Sequence, residues 1–303
     1  MIVTLTDTTS AKVESRLVDV REKGGAVALG RVLTLVILPD DRQGAERAIR
    51  TANGASYEHP MRVIVAMPDG EGEAGLDAEI RVGADAGASE VVVLQPRGGA
   101  GSSAASLVTA MLLPDAPIVT WWPQSPPSNP GEDLMGSLSQ RRITEAARCA
   151  DPLRALANLA HGYTPGDTDL SWSSLTLWRA LLAAALDESD NIAVDSVRVT
   201  GDAGLPAASL LSGWLQVSLD CPVELSDDAS GALTEVRMDT AAGPIVLHRP
   251  NGSTVATLSR PGRTDQKVSL PRRDNEVALI EELRRLDPDE IYGRVLTQTV
   301  TAR

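Results

Sequence analysis

Phenylalanine is absent from this 303-residue chain, cysteine occurs twice and histidine three times. Two cysteines, Cys149 and Cys221, are no disulfide framework for a chain of this length and cannot make a four-thiolate zinc site. They are expected to be inert buried thiols. A metal centre needs three or four converging ligands, and the aspartates of the His161, Asp167, Asp169 group are explained more simply as helix caps. No metal and no cofactor are expected. The sequence lacks any run of eighteen apolar residues, so no spanning helix is expected. Its start, MIVTLTDTTSAKVESRL, lacks the basic-then-apolar pattern of a secretory signal. Basic residues are outnumbered: 28 Lys and Arg against 41 Asp and Glu give a formal charge of −13. Such a chain repels phosphate backbones and anionic lipid, which disfavours nucleic-acid and membrane roles. The composition describes a cytoplasmic protein. Catalytic motifs are also missing: there is no serine nucleophile elbow, no Walker-type loop, no H-E-x-x-H and no Cys–His pairing.

What is present is apolar content of 43%, carried by Leu, Val, Ile and Ala, with five Trp and three Tyr as the aromatic bulk. The length suggests two domains, placed at 1–165 and 166–303. In the first, short apolar runs at 32–38, 61–67, 90–94 and 118–122 read as buried strands, and 76–82 alternates as a half-exposed strand would. Helical stretches lie between them, at about 42–52 with Asp40 or Asp41 as cap and Gly54 as terminator, and at about 103–112. Alternation of this kind predicts a mainly parallel, Rossmann-like α/β sheet. A Pro-rich loop at 123–131 is followed by expected helix from about 133 to 160. A long, nearly all-apolar helix over 170–187 is expected to be buried between layers. The second domain reads as a smaller α+β unit: a strand at 195–200, a helix at 206–217, and an antiparallel meander at 234–238, 245–247 and 254–258 with turns at Ala242-Gly243-Pro244 and Asn251-Gly252. Two helical segments close the chain, the last starting at Asp287-Pro288-Asp289-Glu290. No internal repeat is visible.

Four places merit weighing as sites. Gly99, Gly101 and Ala104 fit G-x-G-x-x-G/A between a strand and a helix, the pattern that admits a pyrophosphate. The acidic residue expected about 20 positions later is missing, and Trp121, Trp122, Pro123 and Gln124 stand there instead. His59 beside Glu58 could do acid–base chemistry, but His59 and Arg62 lie at the amino end of a strand, which favours a structural or interface role. Arg81 and Asp85 could pair across a tight turn. Trp121, Trp122 and Pro123 end a strand and enter the Pro-rich loop, either as core or as the aromatic anchors of a protein interface.

Longer strings are more specific than these motifs. REKGGAVALGRVLT at 21–34, EHPMRVIV at 58–65, IRVGADAG at 80–87, LPDAPIVTWWP at 113–123, GYTPGDTDLSW at 162–172 and RRLDPDEIY at 284–292 together resemble the glucose-6-phosphate dehydrogenase assembly protein family, OpcA, nearly end to end. The resemblance implies a non-enzymatic partner that binds glucose-6-phosphate dehydrogenase and promotes its oligomerisation and activity in the oxidative pentose phosphate pathway. It supplies no catalytic residue. The partner surface is then expected at Trp121, Trp122 and Pro123, with His59, Arg62, Arg81 and Asp85 as second candidates. The alternative is a regulatory protein that binds a nucleotide or sugar phosphate at loop 98–104. Self-association is left open.

Overall fold

Strand alternation is realised as an eight-stranded sheet in a computed structural model that describes residues 1–23, 32–83, 90–101, 103–113, 115–189 and 192–300. The strands are β1 (Ile2–Leu5), β2 (Leu33–Ile37), β3 (Met61–Ala66), β4 (Gly75–Val82), β5 (Glu90–Arg97), β6 (Ile118–Trp122), β7 (Arg141–Thr144) and β8 (Asp167–Asp169). Their order is β1-β4-β5-β3-β2-β6-β7-β8. The six from β5 to β8 along the sheet run parallel; β4 is antiparallel to both its neighbours. Period-two packing buries both faces. Leu33, Leu35 and Ile37 face helices α2 (Arg42–Ala55) and α8 (Asn275–Arg284), whereas Val36 faces α1 (Ser10–Lys23) and α3 (Ala104–Thr109). A strand covered on both faces is mostly apolar, which is why the run at 32–38, interrupted only by the buried Thr34, is readable.

The second sheet has the order β10-β9-β11-β12-β13-β14, with β9 (Val194–Gly201), β10 (Val223–Asp227), β11 (Leu233–Thr240), β12 (Ile245–His248), β13 (Val255–Ser259) and β14 (Gln266–Ser269). Strands β11, β12 and β13 are the expected antiparallel meander, with Gly243 and Gly252 at positive φ in its two turns; β9 and the unexpected β14 extend it antiparallel on either side. Helix α7 (Pro206–Leu219) crosses from β9 to the parallel β10. Its Leu210, Leu211 and Leu215 pack with Trp178 and Leu182 of α6 (Thr176–Asp187) and Tyr292 of α9 (Glu290–Val295) over the sheet. Among the described residues no helix is long and apolar enough to cross a membrane.

Four expectations are corrected. Helix over 133–160 is replaced by short turns, β7 and α4 (Pro152–His161). The strand was hidden because its sequence, RRIT, carries two arginines, and all four residues are buried. Arg141 is paired with Glu282 and Arg142 with Asp167, so both charges are compensated inside the protein. The helix over 170–187 is broken into α5 (Leu170–Ser173) and α6. Hydroxyls compete there for backbone acceptors, with Ser174 Oγ donating to the Ser171 carbonyl at 2.7 Å and Thr176 Oγ1 to the Ser173 carbonyl at 3.1 Å. Gly54 does not end α2, which continues to Ala55; instead its bare Cα lies where a Cβ would sit 2.0 Å from the Glu276 carboxylate of α8. The last helix is capped by Asp289, which accepts from the Tyr292 amide at 2.9 Å, two residues after the Asp287 at which the sequence pattern starts it.

The boundary at 165/166 falls just before β8, the last strand of the first sheet. The chain also returns to that sheet at α8, whose Ala278, Leu279 and Leu283 join the α2-side core. Glu282 of α8 accepts from Arg141 Nε at 3.1 Å, again from Arg141 Nη2, and from Ser173 Oγ of α5. All three residues are buried. Removing one charge of such a pair strands the other, so Arg141→Met should cost about 3–5 kcal/mol in urea unfolding. Arg141→Met combined with Glu282→Leu should recover most of that loss. Equal stability of the single variant and the parent would show that the pair holds nothing.

Candidate functional site

The strand sequence β5-β3-β2-β6-β7-β8 has its reversal between β2 and β6, because the chain builds outward one way from β2 and then restarts on the other side. In open parallel sheets the crevice beyond the carboxyl ends at such a reversal is the usual nucleotide seat, with a helix N-terminus facing the phosphates. Here the loop after β2 carries Pro39, Asp40 and Asp41 into α2, and the loop after β6 carries Pro123, Gln124 and Ser125.

These loops close on each other. Gln124 Oε1 accepts from the Asp40 amide at 3.1 Å, and Gln124 Nε2 donates to Asp41 Oδ2 at 3.2 Å. Ser125 Oγ donates to Asp40 Oδ2 at 2.5 Å. Asp41 caps α2, accepting from the Gly44 amide at 2.6 Å. Bonds from Gly44 and Gln124 hold the Asp41 carboxyl below the usual carboxylate range. A methyl group on Gly44 would land 1.8 Å from Gln124 Oε1. The helix terminus that could greet a phosphate therefore faces two of the chain's own carboxylates and a glutamine side chain.

The Gly-rich loop is also engaged internally. Gly99 and Gly101 amides donate to the Asp69 carboxylate at 2.7 and 3.0 Å, with Gly98 and Gly99 at positive φ. A carboxylate from the β3–β4 connection occupies the two amides that a phosphate would need. Ala104 is the first residue of α3, a helix of six residues.

The expected interface residues do not share one surface. Trp121 and Trp122 are 1% and 4% exposed, and Pro123 is buried. As surface anchors they are corrected: Trp121 packs in the α2-side core, and the Trp122 ring lies under the turn at Gly136. The exposed apolar groups of this region are Leu134 and Leu138, at 66% and 44%. Their turn is held by Asp133, which accepts from the Met135 and Gly136 amides at 2.8 and 3.0 Å. Arg62 is likewise corrected to an interior residue, bonded to Glu90 at 2.5 Å, Glu14 at 3.0 Å and the Met111 carbonyl at 2.5 Å. His59 is half-buried, with Nε2 3.0 Å from the Ile280 carbonyl of α8. Arg81 is gripped by Glu46 at 2.9 and 2.6 Å and by Glu79 at 2.6 Å. Asp85 lies outside the described residues.

What sequence reading missed is a cleft of about 650 Å³ between the two sheets. Arginines 47, 50, 148, 249, 272 and 273 line it. No short motif could reveal it, since the six come from α2, the connections after β7 and β12, and the approach to α8.

Cys149 lies beside Gln124, donating to its carbonyl oxygen at 2.8 Å. Burial first, then the charges of Asp169, Asp40 and Glu145, push its thiol up to about 11. Among the described residues no group of His, Cys, Asp and Glu is arranged to hold a metal.

Fold and site together define a two-sheet α/β protein with Rossmann strand order whose nucleotide crevice is filled by its own side chains. Residues 52–161 match the family model described as glucose-6-phosphate dehydrogenase subunit N-terminal domain, and residues 165–296 match the corresponding C-terminal domain. The chain belongs to the glucose-6-phosphate dehydrogenase assembly protein family, as the strings above imply. Relatives in Synechococcus elongatus and Synechocystis sp., each provisionally named OxPP cycle protein OpcA, are 25% identical over 196 residues and 24% identical over 193. The matches cover 56% and 58% of this chain but 43% and 40% of the relatives, so they span less than half of either one. Among solved structures, myo-inositol dehydrogenase from Lactobacillus casei in complex with NAD(H) and myo-inositol superposes with a TM-score of 0.44 and 9% identity, over 89% of this chain and 93% of that one.

Two outcomes follow. Gly44→Ala should destabilise by about 1–3 kcal/mol through overpacking against Gln124. Adding Gln124→Ala should remove at least about 1 kcal/mol of that cost, a coupling seen in a urea double-mutant cycle; additive losses would show the crevice is not filled this way. In a Cys221→Ser background at about pH 8, Cys149 should react with a thiolate-selective reagent at least about tenfold more slowly in the folded than in the unfolded protein.

Proposed function

We propose that this chain binds glucose-6-phosphate dehydrogenase and promotes its oligomerisation and activity, leaving the chemistry to that enzyme. The observation that carries the reading is the match of both halves of the chain to domains of one dehydrogenase assembly family. The names of the two OpcA relatives support a place in the oxidative pentose phosphate pathway, and the cytoplasm is the expected setting. The filled crevice agrees with a role in which the Rossmann-order sheet serves as a scaffold.

An activator works only by preferring one state of its partner, and such preferences are typically worth about 1–3 kcal/mol, or roughly 5–150-fold in an equilibrium. The surface we favour is the turn that displays Leu134 and Leu138 beside the Pro-rich loop, with the Trp122 ring beneath it; Trp121 packs on the α2 side of the sheet and Pro123 is buried beside it in the chain. Burying two leucines at a partner interface stabilises by about 1.5–3 kcal/mol each. Leu134→Asp with Leu138→Asp, in a chain whose circular dichroism is unchanged, should therefore weaken dehydrogenase capture and activation by at least about tenfold. Unchanged capture and kinetics would discard that surface. No effect of the parent chain on dehydrogenase kinetics would discard the function.

A further inference from the structure

The cleft between the sheets runs against the electrostatics of the chain. The protein carries a formal charge of −13, yet six arginines and three carboxylates line this one opening. Most of the compensating groups are already committed. Glu145 accepts from Arg148 Nε at 2.8 Å and from Asn275 Nδ2 at 2.6 Å. Asp274 caps α8, accepting from the Val277 amide at 3.0 Å. Arg273 is paired with Glu281. That leaves Arg47, Arg50, Arg249 and Arg272, with Glu276 as the remaining carboxylate. Among the described residues none of these four arginines lies within ion-pair distance of an acid; Arg47 and Arg50 feel Asp41 and Glu46 only at longer range.

Arg249 is the most telling. It is 7% exposed, and its partners are the Leu270 and Leu233 carbonyls at 3.2 and 3.1 Å and the Trp178 ring, whose centroid is 5.1 Å away. Burial and the neighbouring Arg272 both disfavour its charged form. A buried guanidinium without an acid is costly to keep, and the cost is offset when an anion arrives. Guanidinium forks match phosphate oxygens in pairs. A volume of about 650 Å³ falls within the range of small-molecule sites, roughly 300–1,000 Å³, and such sites favour junctions between layers or domains.

We propose that this cleft binds a phosphorylated small metabolite, a sugar phosphate or a nucleotide, with its phosphate taken by Arg249 and Arg272 and faced by Arg47 and Arg50 of α2. The cleft joins α2 and the approach to α8 to the second sheet, so a ligand there touches both halves of the chain. Loop 98–104 takes no part in it.

The test uses the full chain alone, without the dehydrogenase, so its outcome is independent of the assembly role. Calorimetry and thermal unfolding are followed with inorganic phosphate, glucose 6-phosphate, free glucose, NADP and ATP. At least one phosphorylated probe should bind and raise the melting temperature, since a ligand of the native state alone stabilises it; free glucose should do neither. Arg50→Glu with Arg272→Glu alters two exposed side chains and should weaken that binding at least about tenfold without lowering the unliganded melting temperature. Stronger binding of glucose 6-phosphate than of NADP or ATP would assign a sugar-phosphate site, and the reverse order a nucleotide site. Silence from every phosphorylated probe up to about 10 mM, binding of free glucose equal to that of its phosphate, or undiminished binding in the double variant would overturn the proposal.

Discussion

Glu282 is the point on which the two halves of the molecule are joined. It comes from a helix late in the chain, yet it is bonded to Arg141 in the first sheet and to Ser173 at the start of the helical layer over the second. Around it, Arg141 also donates to the Asp287 carbonyl at 2.8 Å, and Trp172 Nε1 donates to Asp289 Oδ2 at 2.8 Å. The rings of Trp172 and Tyr163 stand 5.7 and 6.2 Å from that of Tyr292. Two of the strings that carry the family resemblance, 162–172 and 284–292, meet here, and a third, 58–65, reaches α8 through His59 and the Glu58–Arg284 pair. A buried charge pair is a poor source of net stability, but it tolerates few alternative arrangements. Fixing α8 fixes the Arg-lined cleft as well, because the approach to α8 forms one of its walls.

The first sheet has the strand order of dinucleotide-binding folds without their grip. Fold does not carry function by itself; the site does. In this chain the helix that would meet a pyrophosphate begins with Asp40, Asp41 and a glycine pressed by Gln124, and the Gly-rich loop has closed on Asp69. Both are filled by acceptors that take the place of phosphate oxygens. The unpaired positive charge has instead collected between the sheets, on Arg47 and Arg50 of α2, Arg249 after β12 and Arg272 before α8.

Much of the fold was legible because parallel strands covered on both faces are mostly apolar, as β2, β3, β5 and β6 are, and the meander announced itself by Asn251-Gly252. The failures share a cause. RRIT hides a strand because its arginines find partners 25 and 141 residues away, Asp167 and Glu282, which local periodicity cannot register. The helix break at Ser174 depends on which hydroxyl bonds which carbonyl. The site was less legible still. Trp121 and Trp122 were correctly placed at the end of a strand, but an aromatic residue reads alike whether it is core or anchor, and only burial separates the two. The arginine cleft left no trace in any window of the sequence, while the longer ordered strings did show the family.

The proposed role requires that this polypeptide change the assembly state of another catalyst. Sedimentation velocity of glucose-6-phosphate dehydrogenase, alone and mixed with this chain, measures that directly. The expected result is a heavier boundary containing both polypeptides and a larger share of the assembled enzyme. Two boundaries that sediment independently, each as in its unmixed sample, would contradict it.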